Sequence, residues 1–387
     1  MSVTAPKGFV ASGVEAGIRH AKKDVALVRS TEPAVGGAMF TRNKVQAACL
    51  QVNRAHLAVA EPQAVVINSG VANASTGAEG YANAVATAAY TSELLGVDVE
   101  QVLVLSTGVI GMHLPMERLL KGVDAAVAAL DPDGGSDAAE AIMTTDTHSK
   151  ETVVTRDGFT VGGMAKGAGM IHPDLATMLS VLTTDYPLEP GEALDLLRPT
   201  VDSTFNAITI DGDCSTNDTV ILFANGASGI ARTPERDASF AAALLEACDD
   251  LSRQIVADGE GATVLAEIHV HGAVDGPQAK AIAQRIATSM LVKTALFGHD
   301  ANWGRVLMAA GSAPYNGGFA DIDADRATLR YNDTVVLDHG APTNVEPDVS
   351  GPSCTIALEL GLGDGSAAYL TSDLSYDYVR INADYRS

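Results

Sequence analysis

The chain has 387 residues, with 25 Lys and Arg against 48 Asp and Glu for a formal net charge of −23; 47% of residues are apolar and 19% charged. That apolar share supplies a large buried interior and excludes a disordered chain. The negative charge repels phosphate backbones and anionic bilayers, which argues against nucleic acid and membrane surfaces as partners. The length suits two or three structural units.

In chain order, the N-terminal stretch MSVTAPKGFVASGVEAGIRHAKKD lacks the continuous apolar core of a signal peptide. No later stretch reaches the ~18 apolar residues of a membrane span, so the expected location is the cytoplasm. Apolar runs bounded by Gly, Asn, Asp or Ser predict buried strands at 64–67 (AVVI), 102–105 (VLVL), 178–182 (MLSVL) and 219–224 (TVILFA). Ala-rich stretches with helical spacing at 81–95 and 238–255 predict helices that cover sheet faces. The class is α/β or α+β, with layered sheets and helices outside. The segment ADGEGAT at 257–263 and a turn near Gly272 set off a last section of about 110 residues. No repeat or low-complexity segment appears.

Several motifs have a chemical and a plain reading. STGVIG (106–111) follows a predicted strand, where a turn could aim a hydroxyl and a backbone N–H at one point, as a tetrahedral oxyanion requires. Alone, it is an ordinary turn. GGMAKGAG (162–169) fails the spacing of a phosphate-binding loop, because no Gly-Lys-Ser/Thr follows four residues after a glycine, and reads as a flexible loop. His269 and His271 alternate on a probable strand with Glu267 in parity, a weak metal pattern; surface histidines are the plainer reading, and no metal is assigned. His172, five residues before Thr177, is either a processing base or incidental. Cys49, Cys214, Cys248 and Cys354 form no CxxC pair and read as reduced, small apolar side chains.

The most informative segment is VGGMAKGAGMIHPDLATMLSVLTTD (161–185), in which Ala176–Thr177 precedes an apolar run. A mid-chain threonine hydroxyl is a poor nucleophile until a neighbour removes its proton. An α-amine, with a reference pKa of roughly 8 against roughly 10.4 for lysine, is a suitable base near neutral pH. Cleavage before Thr177 would create nucleophile and base on one residue.

TAPKGF (4–9), FTRN (40–43), NSGVANASTG (68–77), STGVIG (106–111), AIMTTDT (141–147) and GGMAKGAGMIHPDLATMLSVLTTD (162–185) together resemble the ornithine acetyltransferases, or glutamate N-acetyltransferases, of arginine biosynthesis. FNAITIDGDCSTNDTV (205–220), DGEGAT (258–263), LVKTALFGHDANWGR (291–305) and TSDLSYDYVRINADYRS (371–387) extend the resemblance along the whole chain. It implies an α/β (α+β) fold of the N-terminal-nucleophile type: two stacked β-sheets between helix layers, with a smaller C-terminal subdomain at about 275–387. It implies cleavage between Ala176 and Thr177 into chains 1–176 and 177–387, associated as a heterotetramer of two copies of each. By the same resemblance Thr177 is the nucleophile, Thr107 and Gly108 form the oxyanion hole, and Thr144, Lys166, Glu260, Asn382 and Ser387 bind substrate along with Thr177. The reaction implied moves acetyl from N-acetylornithine to glutamate, with no cofactor; whether acetyl-CoA is also a donor stays open. Lys166 suits the substrate α-carboxylate and Glu260 its ammonium. An amidase or aminopeptidase of the same fold, passing the acyl group to water, is the rival. Val264 and Ala301 depart from the family's usual lysine and proline, which bears on loop geometry and not on the chemistry.

Overall fold

The computed structural model describes residues 2–172 and 178–384. The chain divides into two compact units: one runs to Asn206 and resumes over Asp213–Ile255, and the other takes Ala207–Gly212 and the chain from Val256 onward.

The first unit is built on two sheets. One holds β1 (Phe9–Val14), β2 (Val25–Ser30), β4 (Ala64–Val71) and β5 (Val102–Val109) in the order β1-β2-β4-β5. The other holds β3 (Val35–Phe40), β6 (Lys150–Arg156), β7 (Phe159–Lys166), β8 (Leu179–Thr184) and β10 (Thr219–Ala224) in the order β3-β10-β8-β7-β6. The runs at 64–67, 102–105, 178–182 and 219–224 are thus all strands, and the helical spacings at 81–95 and 238–255 fall within helices Gly77–Leu95 and Pro234–Ala257.

The alternation of side chains along a strand sorts the core into layers. Val65, Ile67, Leu103 and Leu105 pack in one buried cluster with Met164, Leu179, Val181, Ile221 and Phe223, so the two sheets face each other. The intervening residues Ala64, Val66, Val102 and Val104 point the other way. They meet Leu50 of helix Ala48–Leu57, Ala88 of helix Gly77–Leu95 and Leu119 and Val123 of helix Met116–Ala128. On the second sheet Phe159 and Tyr186 join Phe240 of helix Pro234–Ala257, with Tyr186 and Phe240 stacked at 4.8 Å. Each large apolar side chain so buried contributes roughly 1.5–3 kcal/mol.

The second unit is organised around one sheet. After β9 (Ile208–Thr209) its strands are β11 (Leu265–Ala273), a hairpin of β12 (Pro314–Tyr315) and β13 (Gly318–Phe319), then β14 (Thr328–Tyr331), β15 (Thr334–Asp338), β16 (Ala341–Pro342), β17 (Ser353–Glu359) and β18 (Gly365–Ser372). The sheet order is β16-β15-β14-β17-β11-β18-β9. Ile268, Val270, Ile356 and Leu358 lie in one core with Ile282, Ile286 and Val306 of the covering helices Gly276–Ala287 and Trp303–Ala310. The first of these helices starts where it does because the Asp275 carboxylate accepts the Gln278 N–H at 2.7 Å and Pro277 needs no N–H partner in the first turn. Among the described residues no helix is long and apolar enough to cross a membrane.

Candidate active site

Thr107 and Gly108 do not lie on a turn after a strand. They are the last part of β5 itself, paired in parallel with Ser69 and Gly70 of β4. The ladder is irregular there: Gly70 registers with Gly108, while Val71 registers with both Thr107 and Val109. Gly108 has φ +131, and a Cβ on it would stand 2.2 Å from the Gly70 carbonyl carbon. Only glycine at 108 permits this approach, which is why small residues at 106–111 read as a turn while the backbone is a strand end. Thr107 is 3% exposed.

GGMAKGAG is likewise not a flexible loop. Gly162 through Lys166 are in β7, where a Cβ at Gly162 would meet the Ser2 carbonyl oxygen at 2.1 Å. The glycine is a packing requirement and not a hinge. β7 delivers Lys166 to a buried position, 2% exposed, beside Asp146. Asp146 accepts from Lys150 Nζ at 2.7 Å, from the Gly167 N–H at 2.6 Å and from the Thr144 N–H at 2.8 Å. Burial alone would raise the Asp146 carboxyl, but Lys166 and Lys150 together outweigh it and hold the group well below the usual carboxylate range. Thr144 is fixed from the other side as well. Arg19 donates to the carbonyls of Met143 and Thr144, the latter at 3.0 Å, and reaches Ser69 Oγ at 3.5 Å. Since Ser69 pairs with Thr107, Arg19 links the Thr144 segment to the strand end that carries Thr107.

The segment 215–218 joins the same cluster. Asn217 Nδ2 donates to the carbonyls of Ser106 and Ala72, each at 2.7 Å, so it braces β5 one residue before Thr107. Asp218 is fully buried, and its Oδ1 accepts the Met178 N–H at 3.1 Å. Burial pushes its carboxyl well above the usual range, against the pull of the Met178 amide, Ser215, Lys166 and Thr41. The first unit therefore gathers Thr107, Gly108, Thr144 and Lys166. Ala176 and Thr177 lie outside the described residues, as does Ser387.

In the second unit Glu260 and Asn382 meet: Asn382 Nδ2 donates to Glu260 Oε2 at 2.7 Å. The Glu260 loop is fastened behind that contact. Asp373 accepts from the Thr263 N–H and hydroxyl, each at 2.7 Å, and from the Val264 N–H at 2.9 Å. Ser375 Oγ donates to the Gly261 carbonyl at 2.6 Å. Lys293 is buried, donates to Thr371 Oγ1 at 3.0 Å and to the Ser372 carbonyl, and is lowered to about 8 by burial, against the charges of Asp373 and Asp211. Val264 packs in the core at 2% exposure, and Ala301 packs against that core. His269 and His271 share one face of β11 with rings 6.0 Å apart, and His271 Nδ1 is 2.6 Å from Ser366 Oγ. Among the described residues no group of three or more His, Cys, Asp or Glu could hold a metal ion. The four cysteines are free, and burial pushes Cys49 up to about 12, so it is inert as a nucleophile.

Arg19, Asp146, Lys150, Asn217 and Asp218 escaped sequence reasoning, since each acts on a partner brought to it by the fold or on a neighbour only a few residues away. The TTDT and STND motifs contain three of them and were the available signal.

Comparison with known proteins agrees along the whole chain. Residues 10–387 match the model of the ArgJ family. The chain is 46% identical to the arginine biosynthesis bifunctional protein ArgJ of Thermobifida fusca over 394 residues, covering 100% of both. It is 47% identical to the protein of that name from Mycolicibacterium paratuberculosis, covering 100% of this chain and 96% of that one. Among solved structures, an ornithine acetyltransferase from Mycobacterium tuberculosis complexed with ornithine is 44% identical, with a TM-score of 0.43, covering 44% of this chain and 94% of that one. With identity of this order from end to end, the chain belongs to the ArgJ family.

Proposed function

We propose that the protein is a glutamate N-acetyltransferase of arginine biosynthesis that moves acetyl from N2-acetyl-L-ornithine to L-glutamate through an acetyl ester on Thr177. The single observation that carries this reading is the end-to-end 46% identity of this chain, with its Ala176–Thr177 block, to a protein named for arginine biosynthesis. The irregular strand end at Thr107–Gly108 supports it, because a hydroxyl and a neighbouring backbone N–H are the donors an oxyanion needs.

In the precursor, Thr177 Oγ attacks the carbonyl of Ala176, and the amide becomes an ester. Water then cleaves that ester, leaving a carboxylate on residue 176 and a free α-amine on Thr177. Two chains result, 1–176 and 177–387, which assemble as two copies of each in the cytoplasm. In the mature enzyme the α-amine takes the hydroxyl proton as Oγ attacks the acetyl carbon of acetylornithine. The carbonyl oxygen gains negative charge, which the Thr107 hydroxyl and Gly108 N–H stabilise by roughly 3 kcal/mol per donor. The C–N bond breaks, the proton passes to the departing ornithine amine, and the acetyl ester remains. Glutamate's amine reverses these steps, giving ping-pong kinetics. Lys166 faces the α-carboxylate common to both substrates, with Thr144 beside it, while Glu260, Asn382 and Ser387 serve the ammonium-bearing end. No cofactor takes part.

The test supplies acetyl-labelled N-acetylornithine with and without glutamate. The reading predicts labelled N-acetylglutamate in proportion to ornithine released. Release of labelled acetate at the same rate with or without glutamate would instead make the protein an amidase.

A further inference from the structure

The peptide bond that follows the proposed nucleophile is held by a side chain that no motif singles out. Met178 is the first described residue after Thr177, and both of its backbone groups are engaged. Its N–H donates to Asp218 Oδ1 at 3.1 Å, and its carbonyl accepts the Thr219 N–H at 3.2 Å. The residue is pinned just before β8 and β10 begin their parallel register at Leu179↔Thr219. Asp218 is itself immobile: it is fully buried, and its backbone carbonyl accepts the Thr41 N–H at 3.0 Å.

Asp218 Oδ2 is buried with no hydrogen-bond partner among the described residues. An unsatisfied buried polar atom costs roughly 1–3 kcal/mol, and native structures hold few of them without a use. The groups that act on this carboxyl are the Met178 amide, Ser215, Thr41 and Lys166. One of them is Lys166, the proposed carboxylate-binding lysine, so Asp218 acts both on that cation and on the start of the nucleophile's strand.

We infer that Asp218 is a positioning residue for the nucleophile: by accepting the Met178 N–H it fixes the peptide linking Thr177 to β8, and so sets the direction from which Thr177 acts in processing and in acetyl transfer. The inference rests on the proposed function and adds a residue to it. Among the described residues Asp218 contacts the backbone of Met178, and the role assigned to it works through that residue. What it supplies is a buried acceptor held in place by its own backbone.

The experiment compares Asp218→Asn and Asp218→Val with the unmodified full-length chain, following cleavage at 176/177 by intact mass and acetyl transfer by steady-state kinetics. Asparagine keeps a carbonyl oxygen at the Oδ1 position, whereas valine keeps the approximate volume and removes the acceptor. Asp218→Asn should cleave and turn over within about threefold of the parent, while Asp218→Val should lose about a hundredfold in cleavage rate and kcat, with KM for N-acetylornithine unchanged, as displacement of a reacting group by an ångström entails. An Asp218→Val protein that cleaves and turns over like the parent would overturn the inference. So would a folded Asp218→Asn protein with a hundredfold loss, because the acceptor would then not be what matters; this second arm decides the question even where the valine variant does not fold. Both arms are ratios to a parent that cleaves. A parent that does not cleave contradicts the proposed function instead.

Discussion

The two units hold their charged site residues by opposite means. In the first, Lys150 and Asp146 are fully buried, Lys166 is almost so, and one carboxylate serves two lysines and two backbone amides. In the second, Glu260 and Asn382 form a single hydrogen bond at the surface, and the rigidity sits behind them in Asp373 and its three donors. Buried charge has a large desolvation cost and is stable only while every partner is present, whereas an exposed pair is cheap to form and cheap to lose. On the proposed function, the first arrangement suits groups whose geometry must not change as an oxyanion forms, and the second suits groups that meet substrates with different tails.

The substitutions that test this contrast are ordered by expected effect. Asp146→Ala removes the buried carboxylate that faces both Lys150 and Lys166, and thermal or denaturant unfolding should show a loss of about 3–5 kcal/mol. A loss below about 1 kcal/mol would mean that the cluster relaxes into water. Gly108→Ala forces a Cβ against the Gly70 backbone at positive φ. It should cost about 1–3 kcal/mol by overpacking and lower kcat about a hundredfold by moving a donor of the proposed oxyanion hole.

The pH dependence should separate two buried carboxyls of opposite shift. Asp146 is depressed, so its stabilisation is complete above the ordinary carboxylate value of about 4 and fades as pH falls through its folded value; the deficit of Asp146→Asn should shrink in acid. Asp218 is raised, so its contribution is complete below about 4 and is lost as pH rises through its folded value; Asp218→Asn should gain stability relative to the parent toward neutral pH. Melting temperatures of both variants between pH 3 and 8 check the two signs. The smallest effect belongs to Asn382→Ala, which removes an exposed bond and should change stability by less than about 1 kcal/mol while raising KM with kcat retained.

The layers of the first unit were legible because AVVI, VLVL and TVILFA are apolar runs that only buried strands accommodate. Helices 77–95 and 234–257 were legible from their spacing, with ends extended by a few residues. The glycine-rich segments misled for one physical reason: at Gly108 and Gly162 the missing Cβ makes room for another strand or the N-terminal backbone, and sequence alone does not distinguish that from freedom to bend. The residues that hold the site were illegible for a different reason. Arg19 acts on Thr144 and Asn217 on Ser106, across separations of 125 and 111 residues, and no local pattern encodes such partners. The resemblance supplied Thr144, Lys166, Glu260 and Asn382, while the structure supplied what orients them.

The central claim is tested most directly by denaturing intact mass spectrometry of the purified protein before and after N-acetylornithine. Self-processing and the acetyl ester predict two fragments divided between Ala176 and Thr177, with one acetyl group added to the fragment that begins at Thr177. A single chain of unchanged mass under both conditions would contradict both.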